Sequence, residues 1–216
     1  MISAVIFDMD GLLVDSEPYW QAAEIEVFGR LGVALTSTMC LNTVGLRIKE
    51  VVRYWYARYP WPDVDIDAVA SEIVAELQQQ LQSSAVEKLG VTACLTQLAA
   101  LGVPLAVCSS SDLRLIETVV KRLEISDFFT ILISGSDCQY GKPHPESYLK
   151  TAQQLGVQPQ YCLVFEDSLT GCIAGKAAGM TVIAVPESHN LQSSRFDFCD
   201  LKLASLQDFD AKNFNF

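Results

Sequence analysis

The sequence predicts an α/β protein, a doubly wound parallel-sheet core with a helical unit inserted after the first strand. Three observations lead there. Short apolar runs recur along the chain and each closes on small or acidic residues; helical patterns lie between them; one long stretch near the N-terminus carries helical periodicity alone. The length allows both parts, since 216 residues suffice for a full core plus a modest insert.

The first run, "SAVIFD" (3–8), is followed at once by the insert. Ser16 before Pro18 is a helix start, with Ile25, Phe28 and Leu31 on one face. A second helix carries Ile48, Val51, Val52 and Trp55, and a third carries Ile66, Val69, Ile73 and Leu77. "YPWPDVD" (59–65) reads as a loop and "QSSAVEKLG" (82–90) as the return to the core. The expected division is therefore residues 1–15 with 84–216 as the core and 16–83 as the helical unit. Within the core, Thr92 is placed to cap a helix through Leu95, Leu98 and Leu101, before the strand "VPLAVCSS" (103–110). Ser111 or Asp112 caps the next helix, through Leu115, Val119 and Leu123, ahead of "FFTILISGSD" (128–137). Pro145 opens a helix through Leu149 and Leu155, and the strands "YCLVFEDS" (161–168) and "TVIAVPES" (181–188) follow. Uninterrupted apolar runs of this kind suit strands covered on both faces. Their alternation with helices gives a Rossmann-like sheet.

Composition excludes several functions. Half the residues are hydrophobic and the formal net charge is -11, so the chain is globular and its surface repels nucleic acid and anionic lipid. The seven cysteines are odd in number and form no CxxC pair; they read as reduced thiols of a cytoplasmic protein. No apolar run reaches the roughly 18 residues of a membrane span. No basic n-region or cleavage site precedes the first strand. The two histidines, His144 and His189, sit in polar loops, and no Cys/His cluster has zinc spacing.

In open α/β sheets ligands bind beyond the carboxyl ends of the strands. Asp8 and Asp10 follow the first strand, Ser109 and Ser110 the second, and Glu166 and Asp167 the fourth, while "YGKPHPES" supplies Lys142 just before a helix. Four carboxylates gathered at one edge repel one another, and a divalent cation with oxygen ligands, Mg²⁺ above all, relieves this. A lysine and a hydroxyl add the positive charge and the donor that a phosphoryl group requires.

"DMDG", "SSS", "KPHP" and "FEDS" resemble, in order, the four motifs of the haloacid dehalogenase superfamily, and the insert resembles that family's helical cap of the first type. "VGLRIKEVVRYWYARYPW", together with "DMDGLLVDSEP", narrows the resemblance to a group within it, the bacterial hexitol phosphatases or 2-deoxyglucose-6-phosphate phosphatases. The resemblance implies that Asp8 is a nucleophile forming an aspartyl-phosphate. Asp10 is then the general acid and base. The Asp8 carboxylate, the Asp10 backbone carbonyl and the Asp167 carboxylate would hold Mg²⁺. Ser109, the Ser110 backbone N–H and Lys142 would bind the phosphoryl oxygens alongside Asp8 and Asp10. Glu166 would orient Lys142 or a metal-bound water, and Gly11 would let the chain turn behind Asp10.

Residue chemistry separates the branches of this family. A halide leaves without a proton, so Asp10 argues for an oxygen leaving group. β-Phosphoglucomutases resemble one another in a cap histidine just after the first motif, whereas "DSEPYW" has Trp20 and no histidine, which favours water as acceptor. The expectation is a Mg²⁺-dependent phosphomonoesterase acting on hexose or hexitol phosphates and 2-deoxyglucose-6-phosphate. It is expected to be a monomer, with a small phosphorylated metabolite as its partner. A sugar phosphate mutase and a non-enzymatic binding protein on the same fold are the alternatives. Trp20, Arg47, Lys49 and Arg53 are the cap residues available to a cleft, Arg47 first among them as a substrate contact. Cys108 and Arg114 stand in C-x5-R spacing, but "SSSDL" between them lacks glycine and carries Asp112, so Cys108 reads as a buried thiol.

Overall fold

Ala4–Phe7 forms β1, buried along its whole length, as a central strand must be when helices cover both faces of a sheet. The structure, a computed structural model, describes residues 1–44 and 46–216; Gly45, inside the stretch that narrowed the resemblance, lies outside the described residues. β2 (Leu105–Ser109), β3 (Phe129–Ser134), β4 (Cys162–Glu166), β5 (Thr181–Ala184) and β6 (Leu201–Lys202) complete the sheet. Its order is β3-β2-β1-β4-β5-β6 and every pairing is parallel. β1 lies between β2 and β4, and the strand order reverses there. That switch point is where an open parallel sheet leaves a crevice beyond its carboxyl ends.

By packing, Met1–Asp15 with Val86–Phe216 forms one unit and Ser16–Ala85 another. The second unit holds α1 (Glu17–Arg30), α2 (Ser37–Cys40), α3 (Ile48–Tyr56) and α4 (Ile66–Ser84). Pro18 stands in the first turn of α1, where its missing N–H costs nothing. The Asp65 carboxylate caps α4 by accepting from the backbone N–H of Asp67 and Ala68 at 3.0 and 2.9 Å. The edge of Trp61 meets the Phe28 ring with centroids 5.8 Å apart. α2 spans only four residues, too few to show periodicity, and sequence reading missed it.

In the sheet-bearing unit the helices are α5 (Val91–Ala99), α6 (Leu113–Arg122), α7 (Glu146–Leu155) and α8 (Leu169–Ala177). Thr92 does not cap α5. The helix starts directly after Gly90, the Thr92 hydroxyl donates to Glu87, and Leu101 lies beyond the helix end, exposed. β5 ends at Ala184, earlier than its apolar run suggested, and β6 is a sixth strand of two residues that carries no readable pattern.

The buried face of α1 comprises Ala23, Glu24, Val27 and Phe28, so a carboxylate occupies a position where an apolar residue is expected. Glu24 is 6% exposed. Its Oε2 is buried with no hydrogen-bond partner among the described residues. Burial pushes its carboxyl up to about 7, against a hydrogen bond from the Cys40 thiol that pulls the other way. A folded-state value above the unfolded 4.5 means that the folded chain keeps a proton the unfolded chain gives up. Stability therefore falls as pH rises from about 4.5 to about 7. Glu24→Gln removes this penalty, and its thermal midpoint should exceed that of the parent by several degrees at alkaline pH. The two should converge in mild acid; a pH-independent difference would show that Glu24 does not titrate in this way.

Candidate active site

β1 and β4 are in register at Phe7 and Phe165, so the residues that follow, Asp8 and Glu166, emerge side by side. The Asp8 backbone N–H still donates to the Phe165 carbonyl at 3.0 Å. Lys142, from the loop before α7, reaches between the two carboxylates. Its Nζ donates to Asp8 Oδ1 at 2.7 Å, to Glu166 Oε1 at 2.6 Å and to the Cys108 carbonyl at 3.1 Å. The ammonium also lies 4.7 Å from the centroid of the Tyr148 ring, within cation–π reach. All three charged side chains are buried, Glu166 completely.

Glu166 is saturated. Oε1 accepts from Lys142 and from the Tyr148 hydroxyl at 2.9 Å, and Oε2 accepts from the Ser168 backbone N–H and hydroxyl, both at 2.9 Å. A carboxylate offers about four acceptor positions, and all are taken. Gly171 makes this possible, because a Cβ there would lie 1.7 Å from Glu166 Oε1. Glu166 thus anchors Lys142, the first of the two roles expected of it.

Asp10, half-buried, takes its contacts from the β2 side. Its Oδ2 accepts from the Ser109 hydroxyl at 3.0 Å and from the Ser111 hydroxyl at 2.7 Å. Of the two residues expected to cap α6, Asp112 does so, accepting from the Arg114 backbone N–H at 3.0 Å. Ser110 follows β2 with its side chain exposed. Gly11, at φ +76°, turns the chain after Asp10, and a Cβ there would meet Asp167 Oδ2 at 2.1 Å. The Asp167 carboxylate therefore packs against the loop that carries Asp8 and Asp10.

Four motifs in order, on a parallel sheet that gathers them at its switch point, now stand beside the sequence comparison: the profile of the haloacid dehalogenase-like hydrolases matches residues 5–185. The chain belongs to this family. It is 39% identical over 213 residues to hexitol phosphatase B of Escherichia coli, covering 98% of this chain and 96% of that protein. It is 31% identical over 186 residues to the fructose-1-phosphate phosphatase YqaB of the same species, covering 85% and 96%. The crystal structure of β-phosphoglucomutase from Clostridium difficile is similar with a TM-score of 0.83 at 24% identity, covering 99% and 95% of the two chains. That last likeness is one of fold.

One ligand oxygen each from Asp8, Glu166 and Asp167 lie within 4.8 Å of one another. Such a group of hard oxygen donors fits a hard cation. With Glu166 fully engaged, the carboxylates of Asp8 and Asp167 are the donors the site offers. Burial pushes Asp8 up to about 8, with repulsion from Glu166 and Asp10 set against the pull of Lys142. Burial, then Glu166 and Asp8, likewise hold Asp167 well above the usual carboxylate range. Burial alone would lower the Lys142 ammonium, but Asp8 and Glu166 outweigh it and keep it well above its ordinary value.

The rival cysteine arrangement is absent. Cys108 is wholly buried and burial pushes its thiol up. Arg114 is exposed and bound to Asp112 at 2.9 Å. Lys49, one of the cap residues considered for a cleft, pairs with Asp67 at 2.8 Å. Arg53 is exposed, while Trp20 and Arg47 are half-buried. His144 and His189 make local contacts, to the Glu146 backbone N–H and to Asn190.

Two expectations follow. Arg114→Ala should leave turnover within about twofold of the parent, as exposed substitutions away from a site usually do; loss of activity with the fold intact would reopen the cysteine route. Asp8 retains a proton that the unfolded chain releases near 3.8, and Asp167 is shifted in the same direction, so through Asp8 the cation-free protein loses stability as pH climbs from about 4 to about 8. Cations bind the deprotonated acids. The rise in thermal midpoint on replacing EDTA by Mg²⁺ should therefore be larger at about pH 8 than at about pH 6. An increment that shrinks with pH would contradict the assignment of these acids.

Proposed function

We propose that this phosphatase hydrolyses small sugar phosphates, namely hexose and hexitol phosphates and 2-deoxyglucose-6-phosphate, through an aspartyl-phosphate on Asp8. The observation that carries the reading is the buried Asp8 carboxylate at the switch point, 2.7 Å from the Lys142 ammonium and two residues before Asp10. Lys142 occupies Oδ1, so attack on phosphorus falls to Oδ2. The phosphorus–oxygen bond of the ester breaks as the new bond forms, and Asp10 gives its proton to the departing sugar oxygen. Asp10 then takes a proton from water as that water attacks phosphorus, and inorganic phosphate leaves with Asp8 restored. The Ser109 hydroxyl and the Ser110 backbone N–H bind phosphoryl oxygens, Lys142 joins them by turning one N–H from the Cys108 carbonyl, and together they balance the charge that an anionic nucleophile must approach. The Asp8 and Asp167 carboxylates and the Asp10 carbonyl would hold Mg²⁺, which when bound would supply further positive charge to the phosphoryl group.

Sugar phosphates are favoured by the named activities of two relatives, the hexitol phosphatase and the fructose-1-phosphate phosphatase. In this reading residues 16–83 act as a cap that shuts out macromolecules and bulk water, and Arg47 contacts the substrate. We place the protein in the cytoplasm as a monomer that binds neither nucleic acid nor membrane. No helix among the described residues is long and apolar enough to cross a membrane, and the net charge is -11.

A mutase needs a group that holds the sugar for phosphate return. The two histidines, His144 and His189, both belong to the sheet-bearing unit, and Trp20 occupies the segment after the first motif. Water is thus the acceptor. Phosphate release from p-nitrophenyl phosphate should require Mg²⁺ and stop in EDTA, and 2-deoxyglucose-6-phosphate should yield free phosphate. Glucose-1-phosphate isomerised without free phosphate would establish the mutase, and an inert protein would establish a binding role. Asp8→Asn should bring turnover below detection, since an amide is a poor nucleophile and a weaker cation ligand. Retained activity in that variant would refute the aspartyl-phosphate.

A further inference from the structure

We propose that Ser111 is a positioning residue for Asp10, keeping its carboxyl aimed at the leaving group once substrate has drawn Ser109 away. This deepens the reading above and rests on it. Asp10 Oδ2 accepts two hydroxyl protons, from Ser109 at 3.0 Å and Ser111 at 2.7 Å. A serine hydroxyl has one proton to give. If Ser109 donates to a phosphoryl oxygen, it cannot also donate to Asp10, and the Ser111 bond is the one of this pair that survives.

Ser111 is built to keep it. It is 8% exposed. Its backbone N–H donates to Ser109 Oγ at 3.1 Å, and its carbonyl accepts from the buried Ser134 hydroxyl at 2.7 Å. Ser134 is in turn within 2.6 Å of the Ser136 hydroxyl. The turn after β2 is therefore tied to the end of β3, and Ser111 is fixed at both backbone ends. Its hydroxyl is also spared from helix capping, which Asp112 performs. A buried hydroxyl donating to a carboxylate is among the stronger hydrogen bonds available to a protein.

The two serines then have separable effects. Ser109 acts on the phosphoryl group, which all substrates share. Ser111 acts through Asp10 on the leaving oxygen, which differs between substrates. A sugar alkoxide needs its proton as it leaves, phenolate needs it less, and p-nitrophenolate leaves without it. The measurement is kcat/KM of the parent protein, Ser111→Ala and Ser111→Thr with p-nitrophenyl phosphate, phenyl phosphate and 2-deoxyglucose-6-phosphate. This quantity covers the steps through departure of the leaving group, so the later attack of water does not enter.

Ser111→Ala should cost 2-deoxyglucose-6-phosphate about 10- to 100-fold, part of what general acid catalysis contributes. Phenyl phosphate should lose less, and p-nitrophenyl phosphate no more than about 3-fold. Ser111→Thr, which keeps the hydroxyl, should recover most of the loss. Equal losses on all three esters, in a folded variant, would overturn the proposal in favour of a structural role, as would no loss on any. Should the alanine variant fail to fold, Ser111→Cys, which keeps the side-chain size but donates far more weakly, is measured on the same three esters, and equal losses there overturn the proposal. A parent enzyme that cleaves the aryl esters but not the sugar ester would count against the substrate class alone, because the aryl pair still tests Ser111. A parent inert to all three would remove the hydrolase reading and this inference with it.

Discussion

The site depends on one buried cation held between two carboxylates. Lys142 is within 2.7 Å of Asp8 and 2.6 Å of Glu166. Moving such groups out of water costs several kcal/mol per ion, and well-packed apolar side chains often serve stability better. The arrangement is therefore not explained by folding. It is explained by what the trio presents to the crevice: a carboxylate whose partner charge is fixed, oriented and dry. Tyr148, Ser168 and the absent side chain of Gly171 all bear on Glu166, which in turn bears on Lys142. Tyr148 and Ser168 thus act through Glu166 to hold a single ammonium still.

Topology makes the trio possible. Asp8 and Glu166 meet because β1 and β4 are adjacent in the parallel sheet, although 157 residues of chain lie between the two acids.

Much of this was legible in the sequence, because strands buried on both faces announce themselves by apolar runs and the residues ending those runs fall at the sheet's carboxyl edge. Asp8, Asp10, Ser109, Lys142, Glu166 and Asp167 are all brought to that edge. What escaped was whatever periodicity does not encode. α2 and β6 are too short to repeat. Thr92 has the residue type of a cap but lies inside the first turn of α5. Ser111 could have been suspected from its place two residues after Ser109, but residue type favoured a cap as strongly. Glu24 sits at a position that helical spacing assigns to the buried face, and no rule of spacing says why an acid should be there. Chemistry at a site is set by hydrogen bonds between elements far apart in sequence, and those are visible only once the chain has folded.

Glu166 and Asp8 also show why the acids of one cluster are not interchangeable. Both lie at the ends of adjacent strands, and both accept from the same ammonium. Glu166 has every acceptor position filled and a glycine clearing room for its carboxylate, so it is left with no lone pair for phosphorus or a cation. Asp8 carries one bond from Lys142, and burial drives its carboxyl up to about 8. An acid in that condition is stabilised by whatever positive charge or electrophile reaches it. In the proposed reaction the nucleophilic carboxylate is the one with acceptor positions to spare, and the supporting one is the one that the fold satisfies.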